Sequence, residues 1–150
     1  MDVNELYQQV ILDHYKNPRN FGELEPHNHS AEGHNPLCGD HIDIYLQINN
    51  DIITDIKFKG DGCAISKSSA SIMTTLLKGK PVQFARELFN KFHDVVTSDT
   101  NTLIDEESLG KLAVFAGVRE FPARVKCASL AWHTMTTALD DSTEKFVTTE

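Results

Sequence analysis

The chain has 150 residues, 40% of them hydrophobic, with 22 acidic against 14 basic side chains and a formal charge of −8. That length suits one globular domain with a single core, because two halves would each have a marginal one. The acidic balance and dispersed lysines argue against nucleic acid and anionic membrane surfaces as partners, and no apolar run approaches the roughly 20 residues of a membrane span.

Asp2 is placed to cap an amphipathic first helix, in which Val3, Leu6, Tyr7, Val10, Ile11 and His14 recur at helical spacing. Asn17-Pro18-Arg19-Asn20-Phe21-Gly22 ends it. A polar, histidine-bearing loop is expected through about Asn35. His41 to Ile48 alternates, with Ile42, Ile44, Leu46 and Ile48 on one side. Ile52 to Phe58 does the same, with Ile52, Thr54, Ile56 and Phe58 in phase. Asn49-Asn50-Asp51 supplies tight-turn chemistry, so the two segments read as an antiparallel hairpin with one buried face.

Gly60-Asp61-Gly62 breaks the second strand. Ser66 to Lys78 then reads as a helix with Ile65, Ser69, Ile72, Met73, Leu76 and Leu77 on its packed side and Gly79 as terminator. Pro81 opens another helix to about Val96, carrying Phe84, Leu88, Phe89, Phe92 and Val95 as core. Thr97 to Thr102 is a polar loop. A short helix is expected over Glu106–Ala116 and a last one over Ala123–Leu139. Strands followed by helices indicate an α+β fold: a small antiparallel β-sheet with helices packed on one face.

The three cysteines, Cys38, Cys63 and Cys127, are odd in number and far apart. Met1-Asp2-Val3-Asn4-Glu5 lacks the basic and apolar regions of a signal peptide, so a cytoplasmic location and reduced thiols are expected rather than a disulfide framework. Each cysteine is expected at the junction of an element. Cys38 precedes the first strand, Cys63 enters the serine-rich helix, and Cys127 lies in the first turn or so of the last helix. A helix amino terminus favours the thiolate, the form that binds metal or attacks sulfur. Asp40 follows Cys38 by two positions, and in extended chain the two side chains share a face. Three sulfurs and one carboxylate would make a tetrahedral zinc site. On spacing alone, three small buried hydrophobes are the more ordinary account, because no Cys-x-x-Cys pair is present.

Four stretches bear on that choice: His14 to Gly22, Asn35 to Asp40, Gly60 to Ser71 and Phe121 to Trp132. In order and content they resemble the successive signatures of the IscU/SufU/NifU amino-terminal family of iron–sulfur cluster assembly proteins. The resemblance implies a metal site made by Cys38, Asp40, Cys63 and Cys127. It departs from the IscU branch at Lys126, where a histidine normally precedes the last cysteine, and in the length of the segment from Val82 to Arg124. Both features resemble the SufU branch. There the resemblance implies bound Zn²⁺, with iron or a transient iron–sulfur cluster as the alternative, and sulfur taken from a SufS-like cysteine desulfurase. Downstream iron–sulfur scaffold proteins are further implied partners. Protonated Lys126 has no lone pair to offer iron. Two roles stay open for Arg124 and Lys126: offsetting the charge of a site with three thiolates, or meeting the partner enzyme.

Of the three thiols, Cys38 is expected to be the catalytic sulfur acceptor, since Pro36 and Gly39 place it on a surface loop; Cys127 is the second choice. The competing functions are a cluster scaffold and an interaction module whose zinc is purely structural. The remaining candidates have plainer explanations. His27, His29 and His34 read as a solvated loop in preference to a second metal site. His41 should point away from Asp40, and His133 lies roughly 240° around the helix from Cys127. Ser66, Ser68, Ser69 and Ser71 lack a nucleophile elbow and read as small residues for close helix packing.

Overall fold

The computed structural model describes residues 3–140 and 146–148. Alternating hydrophobicity builds its centre: β2 (Asp40–Asn49) and β3 (Ile52–Asp61) pair antiparallel, and Ile42, Ile44, Leu46, Ile56 and Phe58 are wholly buried. Asn50 and Asp51 take positive φ (53° and 61°) in the two-residue turn, as a tight hairpin demands. The phase of β3 departs from the expected alternation near this turn. The register jumps between Gln47 and Ile48, which leaves Thr54 as an extra residue. Ile53, not Ile52 or Thr54, is therefore the buried side chain.

The largest departure precedes the hairpin. The segment expected to be a polar loop contains β1 (His29–Asn35), antiparallel to β2 from His29↔Leu46 to Asn35↔Asp40. Its inward residues are Ala31, Gly33 and Asn35, too small or too polar to register as a hydrophobic stripe. Close packing explains the choice: a Cβ on Gly33 would lie 2.1 Å from Thr134 Oγ1 on the helix above. A short strand, β4 (Phe146–Thr148), runs parallel to β1, and the sheet order is β3-β2-β1-β4.

The helices occupy one face. α1 is Val3–Lys16, α2 Ala64–Leu77, α3 Val82–Val96, α4 Glu106–Leu109 and α5 Pro122–Leu139; α2 and α5 lie against the sheet. Asp2, the expected cap of α1, lies outside the described residues. α2 is buried almost all round, and its serines let neighbours approach. Ser69 Oγ donates to the Ala128 carbonyl (2.6 Å) and accepts from Trp132 Nε1 (3.1 Å). On α3 the buried side chains are Ala85, Leu88, Phe92 and Val96, whereas Phe84 is exposed. The helix expected over Glu106–Ala116 is instead the short α4, capped by Asp105 and broken at Gly110, followed by a 3₁₀ segment, Gly110–Glu120. No helix among the described residues is long and apolar enough to cross a membrane.

α1 is tied to α2 through His14, which is 2% exposed, its Nδ1 lying 2.7 Å from Ser71 Oγ. Burial, reinforced by the Arg19 and Lys111 cations, lowers the His14 pKa from 6.5 to about 4. Between those values the unfolded chain takes up a proton that the folded chain refuses, so stability rises with pH across the window. The stability is complete above about pH 6.5, and on the order of 3 kcal/mol is lost by about pH 4. His14→Asn should flatten this part of a melting-temperature profile relative to wild type, in which His133, also lowered by burial, contributes in the same direction. An unchanged slope would show that His14 is not the titrating group.

Candidate metal centre

The β1–β2 connection, the start of α2 and the second turn of α5 meet at one end of the sheet. Cys38 sits in the tight turn Pro36–Gly39, its amide donating to the Asn35 carbonyl at 3.2 Å, and it is exposed. The turn, rather than an extended run of chain, brings Cys38 onto the same point as Asp40. Asp40 is 1% exposed. Its Oδ1 accepts from the Cys63 amide at 2.9 Å, and its Oδ2 lies 4.0 Å from Cys63 Sγ. Gly62 permits that approach, since a Cβ there would stand 2.8 Å from Asp40 Oδ1.

Cys63 caps α2 as expected: its sulfur accepts from the Ser66 amide at 3.4 Å, so a helix amino terminus does face this thiol. Cys127 differs. It is the sixth residue of α5, beyond the first-turn amides that lack helical partners, and is 3% exposed. Burial pushes its thiol well above the ordinary range, and the bond it donates to Cys38 Sγ (3.3 Å), then the charges of Cys63 and Asp40, push it the same way. Helix-terminus stabilisation therefore does not operate at Cys127.

Cys38, Asp40 and Cys127 each offer a donor atom within 4.8 Å of the others, a group that could hold a metal ion. Two thiolates on a tetrahedral zinc stand roughly 3.8 Å apart, so the separations found here need little adjustment. The chemistry fits as well: two sulfurs and a buried carboxylate suit zinc in both charge and softness, while Cys63, its Sγ 4.0 Å from Asp40 Oδ2, is not among the donors that all lie within 4.8 Å of one another.

Asn35 is the residue that spacing did not single out. It is wholly buried, and its Nδ2 donates to both Asp40 Oδ2 and Cys127 Sγ at 3.4 Å, while Oδ1 has no hydrogen-bond partner among the described residues. Its signal in sequence was its phase with Ala31 and Gly33, legible only once β1 is recognised as a strand. His41 turns away from Asp40, and His133 faces Phe89 (5.3 Å) rather than Cys127. Arg124 is exposed, its guanidinium 4.5 Å above the Phe121 ring; Lys126 is half-buried, and neither forms a salt bridge among the described residues.

The family model of the NifU-like N terminal domain matches residues 6–143. The chain belongs to that family. A NifU-like relative, the zinc-dependent sulfurtransferase SufU of Bacillus subtilis (strain 168), is 43% identical over 131 residues, 87% of each chain. The iron–sulfur cluster assembly scaffold protein IscU of Streptococcus pyogenes serotype M1 is 37% identical over 140 residues, 93% of this chain and 86% of that one. The crystal structure of FiSufU from Fervidobacterium islandicum AW-1 superposes with a TM-score of 0.81 at 34% identity, covering 92% of this chain and 99% of the other.

Because Asn35 touches two donors of the cluster, Asn35→Ala should weaken metal binding by about 10–100-fold. Competition of Co²⁺-loaded protein with a chelator, followed through the thiolate–cobalt absorption, measures this. Wild-type affinity in a folded variant would remove Asn35 from the site.

Proposed function

We propose that this chain is a zinc-dependent sulfur acceptor of iron–sulfur cluster assembly, with Cys38, Asp40, Cys63 and Cys127 as zinc ligands and Cys38 receiving sulfur from a cysteine desulfurase. The observation that carries the reading is a gradient of access across one cluster: Cys38 is exposed, Cys63 intermediate and Cys127 buried. The first is the most open to a bulky donor, and the last could be reached only by unpacking a helix. The relative from Bacillus subtilis, named a zinc-dependent sulfurtransferase, supports the same assignment.

Zinc, when bound, supplies the charge that keeps the three sulfurs deprotonated near neutral pH. The chain's own part begins with Cys38. Its thiolate attacks the outer sulfur of the donor persulfide. A bond forms between Cys38 Sγ and that sulfur, the donor's S–S bond breaks, and the donor cysteine leaves as a thiolate. The transferred sulfur keeps its proton and oxidation level, so no external redox agent is consumed. Leu37, beside Cys38 and 65% exposed, offers the partner an apolar contact at the point of transfer. Arg124 and Lys126 offset the net −2 charge of zinc with three thiolates and a carboxylate, or meet the partner directly.

A second reading, a scaffold holding a nascent cluster, draws on relatives such as the IscU of Streptococcus pyogenes. Protein isolated without air separates the two. A colourless chain with one equivalent of zinc supports transfer, and a brown chain supports the scaffold. A third reading, purely structural zinc, predicts no change in desulfurase turnover when the chain is added.

With radiolabelled substrate and a cysteine desulfurase, Cys38→Ala should reduce labelling of the chain to background; full labelling of this variant would overturn the role of Cys38. Asp40→Ala should weaken zinc binding at least about tenfold, since it removes one donor of four. Chelator competition reads the change, and unchanged affinity would remove Asp40 from the ligand set.

A further inference from the structure

We propose that the outer face of the β1–β2 pair carries a second divalent-metal site, formed by His34, His41 and Glu32 with Asp43 as a positioning residue, for a transition ion of the Zn²⁺, Co²⁺ or Ni²⁺ kind. Strand register brings these residues together. His34 lies opposite His41 and Glu32 opposite Asp43, whereas Gly33 and Ile42 between them, and the next pair, Asn35 and Asp40, point to the buried side, the latter toward the thiolate cluster. Side chains alternate along a strand, so all four outward residues share one face. The two centres therefore stand on opposite sides of the same few residues of sheet.

The side chains are already gathered. The imidazole centroids of His34 and His41 are 4.1 Å apart. Glu32, His34 and His41 each offer a donor atom within 4.8 Å of the other two. Donors on a tetrahedral ion with metal–nitrogen bonds of about 2.0–2.1 Å stand roughly 3.3–3.4 Å apart. The gap closes by side-chain rotation on two paired strands, with no change of backbone.

Asp43 adds the orienting contact that metal-bound histidines ordinarily have. Its Oδ1 lies 2.8 Å from His41 Nε2, an arrangement that leaves Nδ1 with its lone pair, and its side chain is only 14% exposed. The charges are also suited to a cation. Glu32 and Asp43 are like charges placed directly opposite each other, a destabilising pairing in an antiparallel sheet. Lys59, opposite Asp43 on β3, is engaged with Glu23 at 2.6 Å. One divalent ion would bring the two carboxylates to neutrality. Two imidazoles and a carboxylate select borderline transition ions over Ca²⁺ and Mg²⁺, which prefer all-oxygen shells. The site does not depend on the sulfur-acceptor reading, because it shares no donor with the thiolate cluster.

The test is calorimetric titration of the full chain with Zn²⁺ near neutral pH, after the tight thiolate centre has been filled. One further equivalent should bind. The double variant His34→Ala/His41→Ala should lose it while still taking up the first equivalent, which also reports that the variant is folded. Glu32→Gln and Asp43→Asn should each weaken the second equivalent by about tenfold. On the unmodified chain, histidine side-chain NMR should show His34 and His41 shifting together with that equivalent, and His93 and His133 remaining in place. Absence of a second equivalent, its survival in the double variant, or shifts confined to other histidines would each overturn the site.

Discussion

A buried carboxylate fixes how the parts of this molecule meet. Asp40 is 1% exposed and must have its charge answered from within the protein. The donors come from two other places: the Cys63 amide at the mouth of α2, and Asn35 Nδ2 on the neighbouring strand. One side chain thereby joins the hairpin, the preceding strand and a helix start, and it does so where Cys38 and Cys127 also approach it. Loss of both donors would leave the buried carboxylate unanswered, at a cost of several kcal/mol.

The depth of the centre follows from small residues rather than large ones. Gly33, Ala31 and the serines of α2 allow α2 and α5 to lie close to the sheet and to each other. Ser69 illustrates the device: with one hydroxyl it satisfies the Trp132 indole and the carbonyl of Ala128, the residue that follows Cys127. Bulkier side chains would lift α5 and carry Cys127 Sγ away from Cys38, 3.3 Å distant. Packing and site geometry are thus one constraint.

This explains what could be read from sequence and what could not. The hairpin was legible because Ile42, Ile44, Leu46, Ile56 and Phe58 alternate with polar residues, and the four stretches of family resemblance singled out Cys38, Asp40, Cys63 and Cys127. β1 was illegible for a physical reason: its buried face is Ala31, Gly33 and Asn35, chosen for fit, so no apolar stripe marks it. Asn35 was missed for the same cause. The phase of Ile53 was misread because a bulge at Thr54 shifts the alternation by one, and composition does not announce a bulge. The segment over Glu106–Ala116 has helical composition, but Gly110 divides it and tertiary contacts hold the remainder as 3₁₀. Cys127 was placed in the right helix but given the wrong electrostatics, since a helix amino terminus acts only over its first turn.

That last difference bears on how labour divides within the cluster. A thiol buried as Cys127 is, bonded to Cys38 and near the charges of Cys63 and Asp40, resists ionisation. Cys38 is held by a turn, and its displacement breaks a backbone bond of 3.2 Å rather than a helix interface. Moving Cys127 would instead pull α5, with its wholly buried Trp132, away from Ser69 on α2, and large aromatic side chains contribute about 3–5 kcal/mol each to a core. Access and cost point the same way. The most exposed of the three thiols is also the one whose displacement leaves the helix packing intact, so access and packing divide Cys38 from Cys127 in the same sense.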